Sequence, residues 1–173
     1  MYKKRLQEQS GFTLIEMLIV VIMLGILAML IIPQISVSTA DANLNTLQTN
    51  LGAMRNAIEL YYHQHNATYP GGNDNLGAPT AVPAVAATAF LEQLTQFTDI
   101  NGHCAVARDA THIYGPYLKS LTLPTNPFNN LNDVVCDVAT TDVTDRTSTG
   151  ATAWKFYTLT GVLMANDGGH DSL

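Results

Sequence analysis

The residue that most directly suggests chemistry is Glu16, the one charged side chain between Phe12 and Ile32 in a strongly apolar stretch. A charged side chain in a membrane helix costs about 2.5–3.5 kcal/mol at the bilayer centre and less near an interface. Such an acid indicates a functional site, provided that a cationic partner can neutralise it. The alternative is an acid that the interface merely tolerates.

A second candidate for chemistry is the pair of cysteines, Cys104 and Cys136. An even number of cysteines in an oxidising compartment favours a disulfide, and the export predicted below would supply that compartment. Closing a loop of this size contributes about 3–4 kcal/mol by the loop-entropy account. The alternatives are two unrelated buried thiols or metal ligands, although two cysteines without paired histidines make a poor zinc site.

The histidines do not have the spacing of a catalytic centre. His63 and His65 are two positions apart and therefore face different sides of a helix. The others, His103, His112 and His170, are dispersed, and we expect solvated side chains in loops. The sequence also lacks a nucleophile elbow, a zinc-protease motif and a phosphate-binding loop. An enzymatic function has no residues to support it, so no catalytic residue is predicted.

The acidic segment 166–171 reads Asn-Asp-Gly-Gly-His-Asp and offers the oxygen ligands and glycines that Ca²⁺ prefers. It departs from the spacing of an EF-hand and stands at the C-terminal end of the sequence. A frayed polar tail is the preferred interpretation. No metal ligand and no cofactor are therefore assigned, and calcium is kept as the alternative.

The element that must position Glu16 is an apolar helix. No polar side chain occurs between Met17 and Ile32. As a helix, residues 12–32 would be about 31 Å long, which matches a hydrocarbon core of about 30 Å. The alternative is a helix buried in a soluble core, but a chain of 173 residues has little material to surround it. A membrane span is therefore predicted.

Basic residues predict the orientation of this span. Lys3, Lys4 and Arg5 precede it and the next basic residue is Arg55, so we expect the N-terminus in the cytoplasm and the remainder across the membrane. A cleaved secretory signal is the alternative, but the apolar run exceeds the usual length of roughly 7–15 residues.

The net charge of the whole sequence is −6, from 8 basic and 14 acidic residues, and this acidic balance argues against nucleic-acid binding.

The basic leader followed by Gly11-Phe12-Thr13-Leu14-Ile15-Glu16 resembles the type III signal of type IV pilins and type II secretion pseudopilins. In that family a prepilin peptidase cleaves after the glycine, and the new N-terminal residue is N-methylated. The resemblance implies cleavage between Gly11 and Phe12 and methylation of Phe12. A glycine suits a protease cleft because its backbone can be approached closely. Loss of residues 1–11 removes three bases and one acid, which changes the charge from −6 to −8.

The same resemblance implies a partner for Glu16, namely the α-amino group of Phe12 on a neighbouring subunit. That amine is mostly cationic at neutral pH. Pairing would neutralise both charges once the subunits stack in register. It would therefore favour the assembled filament over the isolated membrane monomer.

A second helical pattern follows the apolar run. Pro33 is expected to kink or locally unwind the helix, because proline removes one backbone hydrogen bond. Beyond it, an apolar stripe predicts the amphipathic half of the same helix over residues 34–66. The stripe comprises Leu44, Leu47, Leu51, Met54, Ile58 and Tyr61. The sequence AIELYY at 57–62, followed by Tyr69-Pro70, resembles the major, G-type pseudopilins.

The remaining residues, 67–173, are expected to form a loop-rich head. Thr88 is predicted to cap a short helix over residues 89–97. Residues 98–114 are expected to be irregular. The sequences GPYLKSL at 115–121 and PTNPF at 124–128 extend the resemblance to G-type pseudopilins.

Strand patterns come last in the sequence. Alternating, β-branched and aromatic residues predict strands over 134–138 and 153–159. Thr160-Gly161 is expected to turn the second strand into a hairpin with residues 162–164. The predicted fold class is α+β, a long N-terminal helix packed on a small antiparallel sheet in a loop-rich head.

These patterns together predict a structural filament subunit and not an enzyme. The expected segments are a cleaved leader (1–11), a transmembrane and filament-core helix (12–33), its amphipathic half (34–66) and a periplasmic head (67–173). The expected location is the bacterial inner membrane, with a single pass, and then a periplasmic or surface filament.

The resemblance also implies partners and leaves alternatives open. The expected partners are further copies of the chain, a prepilin peptidase, an inner-membrane assembly platform with minor pseudopilins, and membrane lipid before assembly, but no nucleic acid. A type II secretion pseudopilin is the preferred function. The alternatives are a type IV pilin for adhesion, motility or DNA uptake and, in another class, a signal-anchored periplasmic binding protein.

Overall fold

A computed structural model of the protein describes residues 11–144 and 146–173, and of residues 30–38 it describes the backbone alone. Lys3, Lys4 and Arg5, on which the predicted orientation depends, lie outside the described residues. The chain divides into two compact units, and the boundary falls between Ala42 and Asn43. The fold class is α+β, as predicted, with a long N-terminal helix and two small sheets.

The first helix, α1 (Leu14–Gln64), begins in the first unit. Its backbone is helical through Pro33, so the local unwinding predicted there is not present, while a kink at Pro33 stays a prediction. A proline removes a single backbone hydrogen bond, which the neighbouring turns of a long helix tolerate. Within the described residues, no helix combines the length and apolarity needed to cross a membrane. The span predicted over residues 12–33 is not confirmed by this finding.

In the second unit, the remainder of α1 presents its apolar stripe to the core. Leu44 at the start of the stripe is half-buried. The other members are almost completely buried, namely Leu47, Leu51, Met54, Ile58 and Tyr61. The amphipathic pattern predicted from the sequence is therefore confirmed. The helix ends at Gln64, two residues before the predicted boundary.

The turn after α1 depends on Gly71. Its φ angle is +78°, and a Cβ placed there would approach the carbonyl oxygen of Ala86 to 2.7 Å. The Gly71 N–H donates to the side-chain oxygen of Gln93 at 2.8 Å. Because only glycine combines this backbone conformation with so close an approach, the Tyr69-Pro70-Gly71 segment can bring the chain back over the second helix.

The second helix, α2 (Pro83–Thr95), starts six residues before the predicted one. Pro83 suits the first helical turn, where its missing N–H would have no intrahelical partner. Thr88 is not a cap but an interior residue whose hydroxyl donates to the Ala84 carbonyl at 3.1 Å. The predicted cap at Thr88 is therefore wrong. The buried face of α2 includes Phe90 and Leu94.

A two-stranded antiparallel sheet follows, formed by β1 (Phe97–Thr98) and β2 (Cys104–Ala105). A further antiparallel bridge joins Thr98 to Tyr114. Residues 98–114, predicted to be irregular, therefore contain a short hairpin and a return segment. The strands are too short to produce a visible alternation in the sequence.

The larger sheet has three strands, β3 (Val134–Asp137), β4 (Trp154–Tyr157) and β5 (Val162–Ala165), in that order. The β4–β5 hairpin is antiparallel and confirms the predicted turn at Thr160-Gly161. However, β3 and β4 are parallel, so the sheet is mixed, and the prediction of an antiparallel sheet is wrong. A parallel pair needs a crossover of roughly a dozen residues or more, and residues 138–153 provide it.

The two cysteines belong to different sheets. Cys104 lies in β2 and its thiol donates to the Gly102 carbonyl at 3.5 Å, whereas Cys136 is buried in β3. Both thiols are free, so the predicted Cys104–Cys136 disulfide is not formed. Burial raises the pKa of each thiol to about 12, which keeps both protonated and unreactive at neutral pH.

The core of the second unit is centred on aromatic residues of β4. Trp154 is fully buried and its indole N–H donates to the Pro124 carbonyl at 2.9 Å. Phe156 packs on Phe90 of α2 with ring centroids 4.6 Å apart. Asn126 is also buried and donates to the Ala153 carbonyl at 3.2 Å. The PTNPF segment therefore anchors its loop to the start of β4.

Candidate functional site

The predicted cleavage junction lies immediately before α1. Gly11, Phe12 and Thr13 are not helical, and all three are exposed. The side chain of Phe12 is 79% exposed, and a Cβ added to Gly11 would meet no atom within 4 Å. The Gly11–Phe12 peptide bond is therefore uncovered backbone that a protease cleft could enclose.

Glu16 closes the first turn of α1 through a reciprocal cap with Thr13. One carboxylate oxygen, Oε2, accepts the Thr13 N–H at 2.8 Å and the Thr13 hydroxyl at 2.7 Å. In return the Glu16 N–H donates to Thr13 Oγ1 at 3.3 Å. This is a capping box, with threonine at the N-cap and glutamate three residues later.

The capping box is a role of Glu16 that the sequence interpretation misses. The pattern Thr-x-x-Glu at residues 13–16 is the ordinary sequence signal for it, and it stands before an apolar run. A carboxylate in the first turn also interacts favourably with the positive end of the helix dipole. Glu16 therefore has partners within its own chain, which the pairing predicted with a neighbouring subunit would have to displace or share.

The apolar side chains of α1 in the first unit are uncovered. The large ones between Leu14 and Met29 are 48% to 93% exposed, and they point in every direction around the helix. Soluble monomers rarely leave contiguous apolar patches of more than a few hundred Å² in water. This apolar surface is therefore a candidate interaction surface.

The predicted site residues do not come together in one place. Gly11, Phe12 and Glu16 lie together around the start of α1. Pro33 lies within the helical backbone of α1, and its side chain is not among those that the structure describes. Cys104 and Cys136 lie in the second unit and are not bonded to each other.

His65 is a buried core residue and His63 is exposed, as their two-residue spacing predicts. The His65 ring stacks on Tyr61 with centroids 3.7 Å apart. Its Nδ1 lies 2.8 Å from the Tyr61 carbonyl, so Nδ1 carries the proton and donates it. Its Nε2 lies 2.9 Å from the Thr98 hydroxyl, which donates to it. Burial lowers the pKa of His65, so the folded protein holds the neutral ring.

A pH dependence of stability follows from the buried His65. The unfolded chain protonates this ring below a pH of about 6.5, whereas the folded chain resists protonation because the pKa is lowered. The unfolding free energy should therefore fall as the pH drops below about 6.5. We expect His65→Gln to weaken this fall, measured by urea unfolding at several pH values between neutral and mildly acidic. The matched variant His63→Gln should retain it, and an identical pH slope in His65→Gln and wild type would contradict the prediction.

The loop histidines are less dispersed and less solvated than predicted. His112 is buried, and its ring lies against that of His103 with centroids 4.9 Å apart. The β1–β2 hairpin and the Thr98–Tyr114 bridge cause this proximity, because they bring residues 103 and 112 back to the same edge. No spacing rule in the sequence would have joined two histidines nine residues apart in a loop.

The segment 166–171 is not a frayed tail, which corrects the interpretation from sequence. Asn166 is fully buried, and its amide donates to the hydroxyls of Thr149 and Thr152 at 3.1 and 2.7 Å. Asp167 accepts the backbone N–H groups of Gly169 and His170, each at 3.0 Å. The acids that suggested calcium are thus used, in part, to hold a turn. Among the described residues, no three histidine, cysteine or acidic side chains gather in a way that could hold a metal ion.

Comparisons with known proteins identify the segment around Glu16. Residues 6–32 match the family model described as the prokaryotic N-terminal methylation motif. The chain is 34% identical over 80 residues to the type II secretion system core protein G of Vibrio cholerae, covering 46% of this chain and 54% of that protein. It is 37% identical over 81 residues to the core protein G of Aeromonas hydrophila, covering 44% and 56%.

A third relative gives the same picture. The core protein G of Pseudomonas aeruginosa is 36% identical over 77 residues, covering 44% of this chain and 54% of the relative. The chain thus spans about half the length of the curated relatives it matches. No solved structure matches it significantly. The resemblance to G-type pseudopilins with a prepilin-type methylation motif is confirmed.

Proposed function

We propose that this chain is a structural subunit of a type II secretion pseudopilus, a G-type pseudopilin, and not an enzyme. The observation that carries the proposal is the coincidence of two features at one place. The methylation motif at residues 6–32 coincides with a helix that starts at Leu14 and exposes apolar side chains around its circumference. Such a helix is suited to lipid before assembly and to packing against copies of itself afterwards.

The proposed order of insertion and processing follows from the order of the segments along the chain. Residues 12–33 insert in the inner membrane with the leader, residues 1–11, in the cytoplasm. A prepilin peptidase cleaves between Gly11 and Phe12, and Phe12 is N-methylated. Residues 34–66 continue the helix into the head, residues 67–173, in the periplasm. The accessible Gly11–Phe12 bond and the uncovered apolar side chains support this order.

Assembly is proposed to join Glu16 of one subunit to the Phe12 amino group of another. Oε2 of Glu16 is engaged by Thr13, and no described residue engages Oε1 in a hydrogen bond, so the carboxylate can keep its cap and accept the amine.

The other partners proposed are the assembly platform and minor pseudopilins. A type IV pilin is the less favoured alternative, since a disulfide in the C-terminal half would have favoured it and both thiols are free.

The intact mass of the exported chain tests the proposal. We expect the chain purified from the membranes of a host with a prepilin peptidase to begin at Phe12 and to carry one added methyl group. In a host without the peptidase, the mass should be that of the full sequence. A chain that keeps Met1 in the first host, or one cleaved after Ala40, would exclude processing as a pseudopilin.

A further inference from the structure

The second unit contains a histidine pair that the proposed function does not use. His103 follows the turn of the β1–β2 hairpin, and His112 lies on the segment that returns to Thr98. Nε2 of His112 is 3.3 Å from Nδ1 of His103. His103 is half-buried and His112 is almost completely buried, so the facing nitrogens lie near the surface but are held in place.

Asp109 fixes the orientation of His112. Its Oδ2 lies 2.8 Å from His112 Nδ1, so this nitrogen carries a proton and donates it. The other oxygen, Oδ1, accepts the backbone N–H groups of Thr111 and His112, both at 2.7 Å. The backbone donors hold the carboxylate in place, and the carboxylate holds the ring. The opposite nitrogen, Nε2, is therefore left with a lone pair on the side of the ring that faces His103.

His103 is also held from its own side. Its backbone N–H donates to Oδ1 of Asp99 at 2.9 Å, and Asp99 closes the hairpin turn through the Asn101 N–H at 2.8 Å. The two imidazoles thus stand on separate, internally hydrogen-bonded turns. The backbone on each side of the pair is therefore held by hydrogen bonds within its own turn.

We propose that His103 Nδ1 and His112 Nε2 form a binding site for a divalent transition metal of the Zn²⁺ class. With Zn–N bonds of about 2.0–2.1 Å, two nitrogens on one tetrahedral ion lie about 3.3–3.4 Å apart, which matches the separation of these two atoms. A carboxylate that holds the far nitrogen of a ligating histidine is the usual support of such a ligand. Nitrogen ligands select Zn²⁺ and its neighbours over Ca²⁺, which prefers oxygen.

The site has two protein ligands, and water completes the coordination shell. Among the described side chains no third histidine, cysteine or acid joins the pair as a metal ligand. The site is therefore open, and the half-buried His103 leaves it within reach of water. An open site with two ligands binds more weakly than the closed four-ligand sites of structural zinc.

Metal binding changes which nitrogen of His103 carries the ring proton. In the metal-free pair, Nδ1 of His103 donates to Nε2 of His112, because Asp109 already holds the proton of the second ring. When the metal binds, both facing nitrogens must offer lone pairs. His103 therefore moves its ring proton from Nδ1 to Nε2.

Metal titration of the full chain in detergent micelles, purified without a histidine tag, tests the proposal. We expect calorimetry with ZnCl₂ to show saturable binding of one ion per chain. Replacing His103 with Ala should weaken binding tenfold or more, and so should His112→Ala. Asp109→Asn should weaken it by about ten- to a hundredfold, because it removes the support of His112.

The chain offers a matched control in His170. Nδ1 of His170 lies 2.9 Å from Oδ2 of Asp167, so it repeats the aspartate–histidine pair with the same three-residue spacing. No hydrogen bond or ring contact joins His170 to a second imidazole among the described residues. His170→Ala should therefore leave Zn²⁺ binding unchanged.

The outcomes separate the proposal from loss of the fold. Because His112 is buried, circular dichroism must show that each variant keeps its thermal transition. If His112→Ala loses the transition, the half-buried variant His103→Ala decides the result. Absence of saturable binding to the wild type would overturn the site. Binding that survives His103→Ala, or that is lost in His170→Ala, would overturn it as well.

Discussion

Replacing Glu16 with Gln is expected to abolish filament assembly while the helix still forms and the precursor still inserts. A glutamine at this position can accept the Thr13 N–H and so retains the capping box. It carries no negative charge and cannot neutralise the Phe12 amino group of a neighbouring subunit. The measurement is electron microscopy and sedimentation of sheared filaments from cells that contain the peptidase and the assembly platform.

Two further variants separate the charge of Glu16 from its cap. Glu16→Ala removes both and should also give no filaments. Thr13→Ala removes the cap alone, at a cost of about 0.5–2 kcal/mol to the helix end, and should leave the carboxylate free to pair. Filaments in Thr13→Ala and none in Glu16→Gln would assign the effect to the charge. Normal filaments in Glu16→Gln would show that the pairing is not required.

Leu51→Ala, on the buried stripe of α1, is expected to cause a large loss of stability in the second unit. Leu51 is 1% exposed within the core of that unit, so its truncation leaves a cavity among packed side chains. Leucine-to-alanine changes in such places cost about 2–5 kcal/mol of the free energy of unfolding. Urea unfolding of the full chain in detergent, followed by the fluorescence of the single tryptophan, Trp154, measures this loss.

The matched control for this change is Leu60→Ala on the same helix. Leu60 is 51% exposed, so the same truncation removes little buried surface and should change the free energy of unfolding by no more than about 0.5 kcal/mol. Comparison of the two variants cancels differences in helix propensity between leucine and alanine. Equal losses in the two variants would contradict the packing of the stripe.

The sequence predicts the helical half of this fold well, for a definite reason. The stripe from Leu47 to Tyr61 follows the helical period, and burial on one face follows directly from that period. The β4–β5 hairpin is equally predictable, because Thr160-Gly161 supplies a turn between two strand patterns and Gly161 adopts a positive φ. In both cases residues close in sequence determine the structure.

Contacts between distant residues explain what the sequence does not predict. Whether β3 pairs with β4 in parallel depends on the path of residues 138–153, and no local pattern records that path. An even cysteine count likewise favours a disulfide, but Cys104 and Cys136 are carried into different sheets by the chain between them. The predicted start of α2 is wrong for another reason: Pro83 is itself a helix start signal, and it competes with the capping signal of Thr88.

The same distinction between contacts that are near and contacts that are distant in sequence applies to the candidate site. Gly11, Phe12 and Glu16 are adjacent in sequence, so their proximity at the helix start can be predicted. Thr13 could be added from the Thr-x-x-Glu pattern alone. The pairing of His103 with His112 cannot be predicted, because it depends on a two-residue strand pair and on an isolated bridge.

Arg55 of α1 is hydrogen-bonded to β5, and this contact affects the order of folding. The guanidinium of Arg55 donates twice to the Leu163 carbonyl, 108 residues further along the chain, and residues from both regions share one core. Contacts between residues so far apart in sequence raise the contact order. The chain loses the entropy of closing the long loop before these contacts can form. The stripe of α1 therefore stays uncovered during synthesis until residues 153–165 have been added to the chain.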